Sequence, residues 1–154
     1  FYRGLFARRQ VLGSDFDWQK LFWIEEGDLV FSNLMAWEQA TGLAQASHAG
    51  AVGNHRMLTC QADRSRMSPE FLYYYFTTEE GHREVLKASP GTMVRNKTLS
   101  TKLLPGISVP VPSLKAQLWF DSPQVKARAA RAARAKASAH LDQLLPAMLN
   151  EVFG

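Results

Sequence analysis

Cysteine is all but missing from the chain, with Cys60 its single example. One thiol cannot close an internal disulfide, so packing and hydrogen bonds must hold the fold, and the composition fits a reducing, cytoplasmic setting. Long apolar runs are missing too. No stretch of about eighteen or more apolar residues occurs, so no segment reads as a membrane-spanning helix. There is no HExxH, CxxC, GxSxG, Walker loop or GxGxxG, and none of His48, His55, His82 and His140 has metal-ligand spacing with Cys60. The acidic turn Glu25-Glu26-Gly27-Asp28 lacks a second acidic motif of nuclease type and reads as solvated. These absences leave no support for an active site or a metal. An initiator Met and a signal-peptide apolar stretch are also lacking, and Phe1-Tyr2 reads as the middle of a strand, as in a piece of a longer chain.

What is there can build a core: 154 residues, 46% hydrophobic and 11% aromatic. The net charge of +4 is unevenly placed. Residues 1–122 carry 13 Lys+Arg against 12 Asp+Glu, whereas residues 123–154 carry 5 against 2. All five of the latter bases lie between Lys126 and Lys136. A nearly neutral block is thus followed by a basic segment that suits phosphates or acidic protein.

Along the block, residues 5–24 read as irregular with short strands. LVFSNLM (29–35) alternates enough to predict a strand. Residues 38–50 are small and polar and read as a loop. Ala51-Val52 and residues 56–60 read as further strand pieces. Ser68-Pro69-Glu70 is a helix start, with a capping hydroxyl, a proline at the first position and an acid at the positive end of the dipole. That helix extends toward Ala88 with a weak point at Gly81. Ile107–Val111 reads as a short strand.

Val109-Pro110-Val111-Pro112 must leave the block extended and stiff. Ser113 then caps a short helix, LKAQLWF, and Asp121-Ser122-Pro123 reads as a break with a fresh cap. From Pro123 the alanine-, arginine- and lysine-rich pattern predicts one helix to about Leu145, roughly 33 Å long. Pro146 breaks or kinks it. Leu141, Leu145, Met148 and Val152 then recur at spacings of 4, 3 and 4, a seam for a partner helix.

Three basic groups in the block are candidates for DNA. Arg95-Asn96-Lys97 follows a Pro-Gly turn. Arg can bridge guanine and Asn adenine, and Lys suits phosphate. Arg64 with Arg66, and Arg8 with Arg9, are similar. Each group also reads as an ordinary polar loop. The aromatic run Phe71–Phe76 can stack on bases, but its helical spacing also reads as core. Arg128, Arg131 and Arg134 drift around the basic helix without forming a sharp stripe, so that helix reads either as solvated or as a thin rod against a partner.

Taken in order, these motifs resemble the target-recognition domain of the specificity subunit of type I restriction–modification enzymes, with the spacer helix that follows it. The residues that carry the resemblance are GDLVFSNLMAWEQATG (27–42), GAVGNHRMLTC (50–60), SPEFLYYYFTTEEG (68–81), SPGTMVRNKTLSTKLLPGISVPVPSLKAQ (89–117) and LDQLLPAMLNEVFG (141–154). The match runs over nearly the whole chain but supplies one recognition domain and one helix, where a full subunit has two of each.

The resemblance implies an α+β fold: a mixed, irregular β-sheet recognition domain with packed helices over residues 1–112, then a helical spacer and dimerisation region over 113–154. It implies a non-catalytic subunit or half-subunit that reads one half of a split double-stranded DNA target. The helix would pair as a coiled coil with a second half, or with itself, and dock methyltransferase and restriction subunits. S-adenosylmethionine, ATP and magnesium would sit on those partners, with no cofactor on this chain. The near-neutral block leaves a protein–protein adaptor open as the alternative, and a stand-alone nuclease as a weaker one.

Overall fold

The computed structural model describes residues 4–10, 12–16, 20–34, 38–91 and 97–153, except for the side chains of residues 15, 16, 145 and 147. The expectations at Phe1-Tyr2, Met35, Arg95, Asn96 and the Leu145 side chain therefore lie outside the described residues. The strands are β1 (Leu21–Trp23), β2 (Leu29–Ser32), β3 (Thr41–Leu43), β4 (Val52–Asn54) and β5 (Met57–Cys60). The helices are α1 (Pro69–Thr77), α2 (Glu79–Lys87) and α3 (Leu114–Phe153). The class is α+β with a long C-terminal helix, as expected. The chain divides into two compact units, Phe1–Gln117 and Leu118–Gly154.

In the first unit β2 lies between β3 and β5, antiparallel to both, and β1 pairs antiparallel with β4 in a separate ribbon. Alternation along β2 splits its side chains between two clusters. Leu29 and Phe31 join Leu43, Tyr75, Phe76, Val85, Ala88 and Leu99. Val30 points the other way, to Ile24 and Ala44. Phe76 meets Phe31 edge to face, ring centroids 5.2 Å apart, and both are buried. The aromatic run is thus anchored as core at Tyr75 and Phe76, and those two rings are closed to base stacking.

Four local expectations are corrected. Residues 38–50 contain β3 and a short 3-10 turn at Ala46–His48. Thr-Gly-Leu carries little strand propensity. It is a strand because β2 supplies the ladder and Leu5 packs where a Cβ on Gly42 would lie.

The helix break comes at Thr78, not at Gly81. Thr78 is extended, accepts the Gly81 N–H at 3.1 Å and starts α2 ahead of Glu79 and Glu80. Gly81 serves another end: a Cβ there would stand 2.2 Å from the Tyr75 carbonyl oxygen, so only glycine lets α1 and α2 meet.

Residues 107–111, expected as a strand, join no ladder.

The last correction concerns Asp121-Ser122-Pro123, which does not interrupt the helix. α3 is continuous for 40 residues through both Pro123 and Pro146. An interior proline costs about 3 kcal/mol. Stopping and restarting would orphan about eight backbone groups and repeat the costly nucleation. Continuity is the smaller loss in so alanine-rich a chain.

The second unit is helical over its described length. Every residue from Ala129 to Leu144 is exposed. Leu141, Leu144, Met148, Leu149, Val152 and Phe153 are each more than half exposed. No helix among the described residues is long and apolar enough to cross a membrane.

Replacing an interior helical glycine by alanine normally stabilises a helix. Gly81→Ala should instead lower stability by about 1–3 kcal/mol through the forced overpacking. The urea midpoint followed by tryptophan fluorescence measures this, and an unchanged midpoint would mean that the α1–α2 junction gives way freely.

Candidate nucleic-acid interface

The link between β5 and α1 carries two of the sequence-predicted cations in one turn. Asp63 is its hub. Its Oδ1 accepts the Ser65 N–H at 3.0 Å and the Ser65 hydroxyl at 2.6 Å. Its backbone carbonyl accepts the N–H groups of Arg66 and Met67, at 2.9 and 2.8 Å. These bonds from Ser65, side chain first, and the nearby Arg66 charge hold the Asp63 carboxyl below its ordinary range. Arg64 and Arg66 flank Ser65, and both are exposed.

The two arginines differ in what they touch. The Arg64 Nη2 donates to the Glu26 carbonyl at 2.8 Å and lies over Gly27, whose φ of +92° permits the turn. The Glu25–Asp28 turn beneath it is tightly made. Asp28 is buried, not solvated as the sequence suggested, and its Oδ2 accepts the Glu25 N–H at 2.9 Å. The Asp28 backbone carbonyl takes the Ala44 N–H at 2.8 Å, and Gly27 N–H reaches the Ala44 carbonyl at 2.9 Å. A polar depression of about 380 Å³ lies between this turn and Arg64, lined also by Gln61 and Ala62. Burial, then the Asp28 charge, pushes the thiol of neighbouring Cys60 up. Arg64 thus braces an acidic turn with one of its five N–H donors. The Arg66 backbone is fixed at both its N–H and its carbonyl, and its side chain is exposed.

The carbonyl of Arg66 is held from far along the chain. Gln117, fully buried, donates from Nε2 to the Arg66 carbonyl at 3.0 Å and to the Pro112 carbonyl at 2.8 Å. Its Oε1 accepts the Ser68 N–H at 2.7 Å. Ser68 is the N-cap of α1, and its hydroxyl accepts the Phe71 N–H. A capping box would satisfy the cap N–H from the third helical residue, but that residue is Phe71, so Gln117 supplies the acceptor instead.

Arg8 and Arg9 are exposed on a segment tied down by His48. The His48 Nδ1 accepts the Gln45 N–H at 2.9 Å, which leaves the proton on Nε2 to donate to the Leu5 carbonyl at 3.0 Å. Lys97 is half-buried. It precedes a stretch pinned by Leu99, whose N–H reaches the Asn33 carbonyl at 2.9 Å, and by Ser100, whose N–H reaches the Ala88 carbonyl at 3.0 Å.

Arg64 and Arg66 therefore share one turn, while Arg8-Arg9 and Lys97 sit on other segments. Arg56, in the exposed His55-Arg56 turn between β4 and β5, is a cation that sequence reasoning missed. Its place just after Gly53-Asn54 is the signal that could have found it. Gln117 belongs to the motif at 89–117, and nothing in that motif hints that it is buried. Among the described residues no group of three or more His, Cys, Asp or Glu could hold a metal.

No family model and no curated protein matches the chain. Solved structures do. The chain is similar to the HsdS subunit from Thermoanaerobacter tengcongensis, with 21% identity and a TM-score of 0.61 over 95% of this chain and 38% of that one. It is also similar to a chain solved for the complex assembly and conformational transition of the type I R-M system, with 19% identity, a TM-score of 0.63 and the same 95% and 38% coverage. The chain thus spans about two-fifths of the length of each. The chain thus shares its fold with the HsdS subunit, the fold that the sequence resemblance implied.

A depressed carboxyl strengthens its turn only while ionised. The Asp63 contribution is complete above the ordinary value of 3.8 and is lost as pH falls through the lower folded value. The Ser65 amide resonance should therefore titrate with its midpoint below 3.8. Movement centred above that value would contradict the hydrogen-bonded hub.

Proposed function

We propose that the chain is the target-reading and spacing part of a type I specificity subunit, or a half-subunit of that kind. Its first unit binds one half of a bipartite duplex target. Its long helix pairs with the helix of a second half, or of a second copy, and docks DNA methyltransferase subunits. The observation that carries this reading is the fold shared with HsdS over nearly the whole of this chain.

The surface supports it. Arg8, Arg9, Arg64 and Arg66 are exposed, and Arg64 and Arg66 lie in a hydrogen-bonded turn, so those two offer cations whose backbone is already ordered before a phosphate arrives. Arg95, Asn96 and Lys97 complete the proposed DNA-facing set. The exposed Leu141, Met148 and Val152 fit a helix that awaits an apolar partner, and Leu145 completes the spacing. The chain on this reading does no chemistry. S-adenosylmethionine, ATP and magnesium belong to partner subunits, and a protein whose work is geometry needs none of them.

The decisive experiment is a duplex titration of the chain assembled with methyltransferase subunits, at several salt concentrations. Arg95→Glu with Lys97→Glu should weaken specific binding, and every phosphate left without its cation should flatten the salt slope by about 0.9. Unchanged binding at every salt would remove these residues from the interface. No duplex bound by the chain, alone or assembled, would leave the adaptor in place of the DNA reader. The pairing arm is separate. Light scattering should give a dimer mass that Leu141→Glu with Met148→Glu reduces to a monomer, and a monomer before mutation would exclude self-pairing.

A further inference from the structure

We infer that Gln117 is a positioning residue for DNA binding: its buried amide sets the backbone of Arg66, so it controls affinity without touching the nucleic acid. This rests on the DNA-reading function proposed above and adds to it the device that orders one DNA-facing side chain.

The chemistry at Gln117 leaves little choice of side chain. Its three partners are one N–H, from Ser68, and two carbonyls, from Arg66 and Pro112. The site thus demands one acceptor and two donors on one planar group, which fixes the amide's orientation and fits glutamine alone. Glutamate would accept from Ser68 but face two carbonyls with negative charge. Methionine keeps the size and satisfies none of the three. Lysine cannot accept. Asparagine is one carbon too short to reach.

Burial makes each of these bonds matter. The side chain is 0% exposed, so water cannot replace a missing partner. The bonds also cross 49 and 51 residues of sequence, so no local turn maintains them in its absence.

Arg66 lies between two clamps. Its N–H is held by the Asp63 carbonyl, and its own carbonyl by Gln117. With both ends of the residue fixed, its exposed guanidinium swings only about its own side-chain bonds. Releasing the carbonyl frees the backbone, and the ordering cost then falls on DNA binding.

The test is a double-mutant cycle of Gln117→Met and Arg66→Ala, in the complex with methyltransferase subunits. The probe is the duplex that the wild-type complex enriches from a randomised library. Gln117→Met should weaken binding about tenfold and leave the salt slope unchanged, unlike Arg66→Ala, because the contact still forms once its ordering cost is met. In the Arg66→Ala background the same change should cost nothing further. Should Gln117→Met fail to fold, Ser65→Ala loosens the turn from its other end, and its effect must vanish in that background too. Additive effects, or an unaltered affinity for Gln117→Met, would overturn the inference while leaving the DNA reader intact. Enrichment of no duplex by the wild-type complex would overturn both.

Discussion

β2 is four residues long, and the first unit depends on its being buried on both faces. Leu29 and Phe31 look toward the helices, while Val30 looks toward Ile24 and Ala44. A strand so placed must be central, with partners on both edges, and β3 and β5 occupy them. Its entry is set by the Glu25–Asp28 turn and its exit by Asn33, which takes the Leu99 N–H and gives its own to the Arg56 carbonyl. The loops that present Arg56 and Arg64 are therefore tied by hydrogen bonds to the two ends of this strand. Their order is inherited from a core that contains almost no charge.

The same logic explains how much of the fold is legible in the sequence. β2 is legible because its residues alternate and are β-prone. The start of α1 is legible because Ser-Pro-Glu is local chemistry, acting within one turn. The long helix is legible from alanine alone. What escapes are features whose cause lies far along the chain. Thr41-Gly42-Leu43 is a strand only because a neighbour supplies its ladder. Asp28 looks solvated in a run of acids, yet it folds back on Glu25. Ile107–Val111 has strand residues but no partner edge. Around the candidate site, the Arg64-Ser65-Arg66 cluster is visible as charge, while the bond of Arg64 to Glu26 and the amide of Gln117 are not. A single glutamine at the start of a helix carries no sign that three backbone groups converge on it.

Proline teaches a separate lesson. Asp-Ser-Pro is a good helix start in isolation. Within an established helix the comparison changes, because one missing hydrogen bond is weighed against two new frayed ends. Local signals report local alternatives, and only the length of the whole element tells which alternative is cheaper.

The bare stretch of α3 has a thermodynamic consequence of its own. From Ala129 to Leu144 it has no exposed-to-buried transition to lose on melting, because nothing is buried there. Its unravelling therefore changes the heat capacity little and starts at whichever end is looser, in a gradual slope with no midpoint of its own. Circular dichroism of the solitary chain would record two kinds of event in one curve: a sharp collapse of the globular unit, and a helical signal draining away over tens of degrees. A companion that covers the leucines would turn that slope into a step.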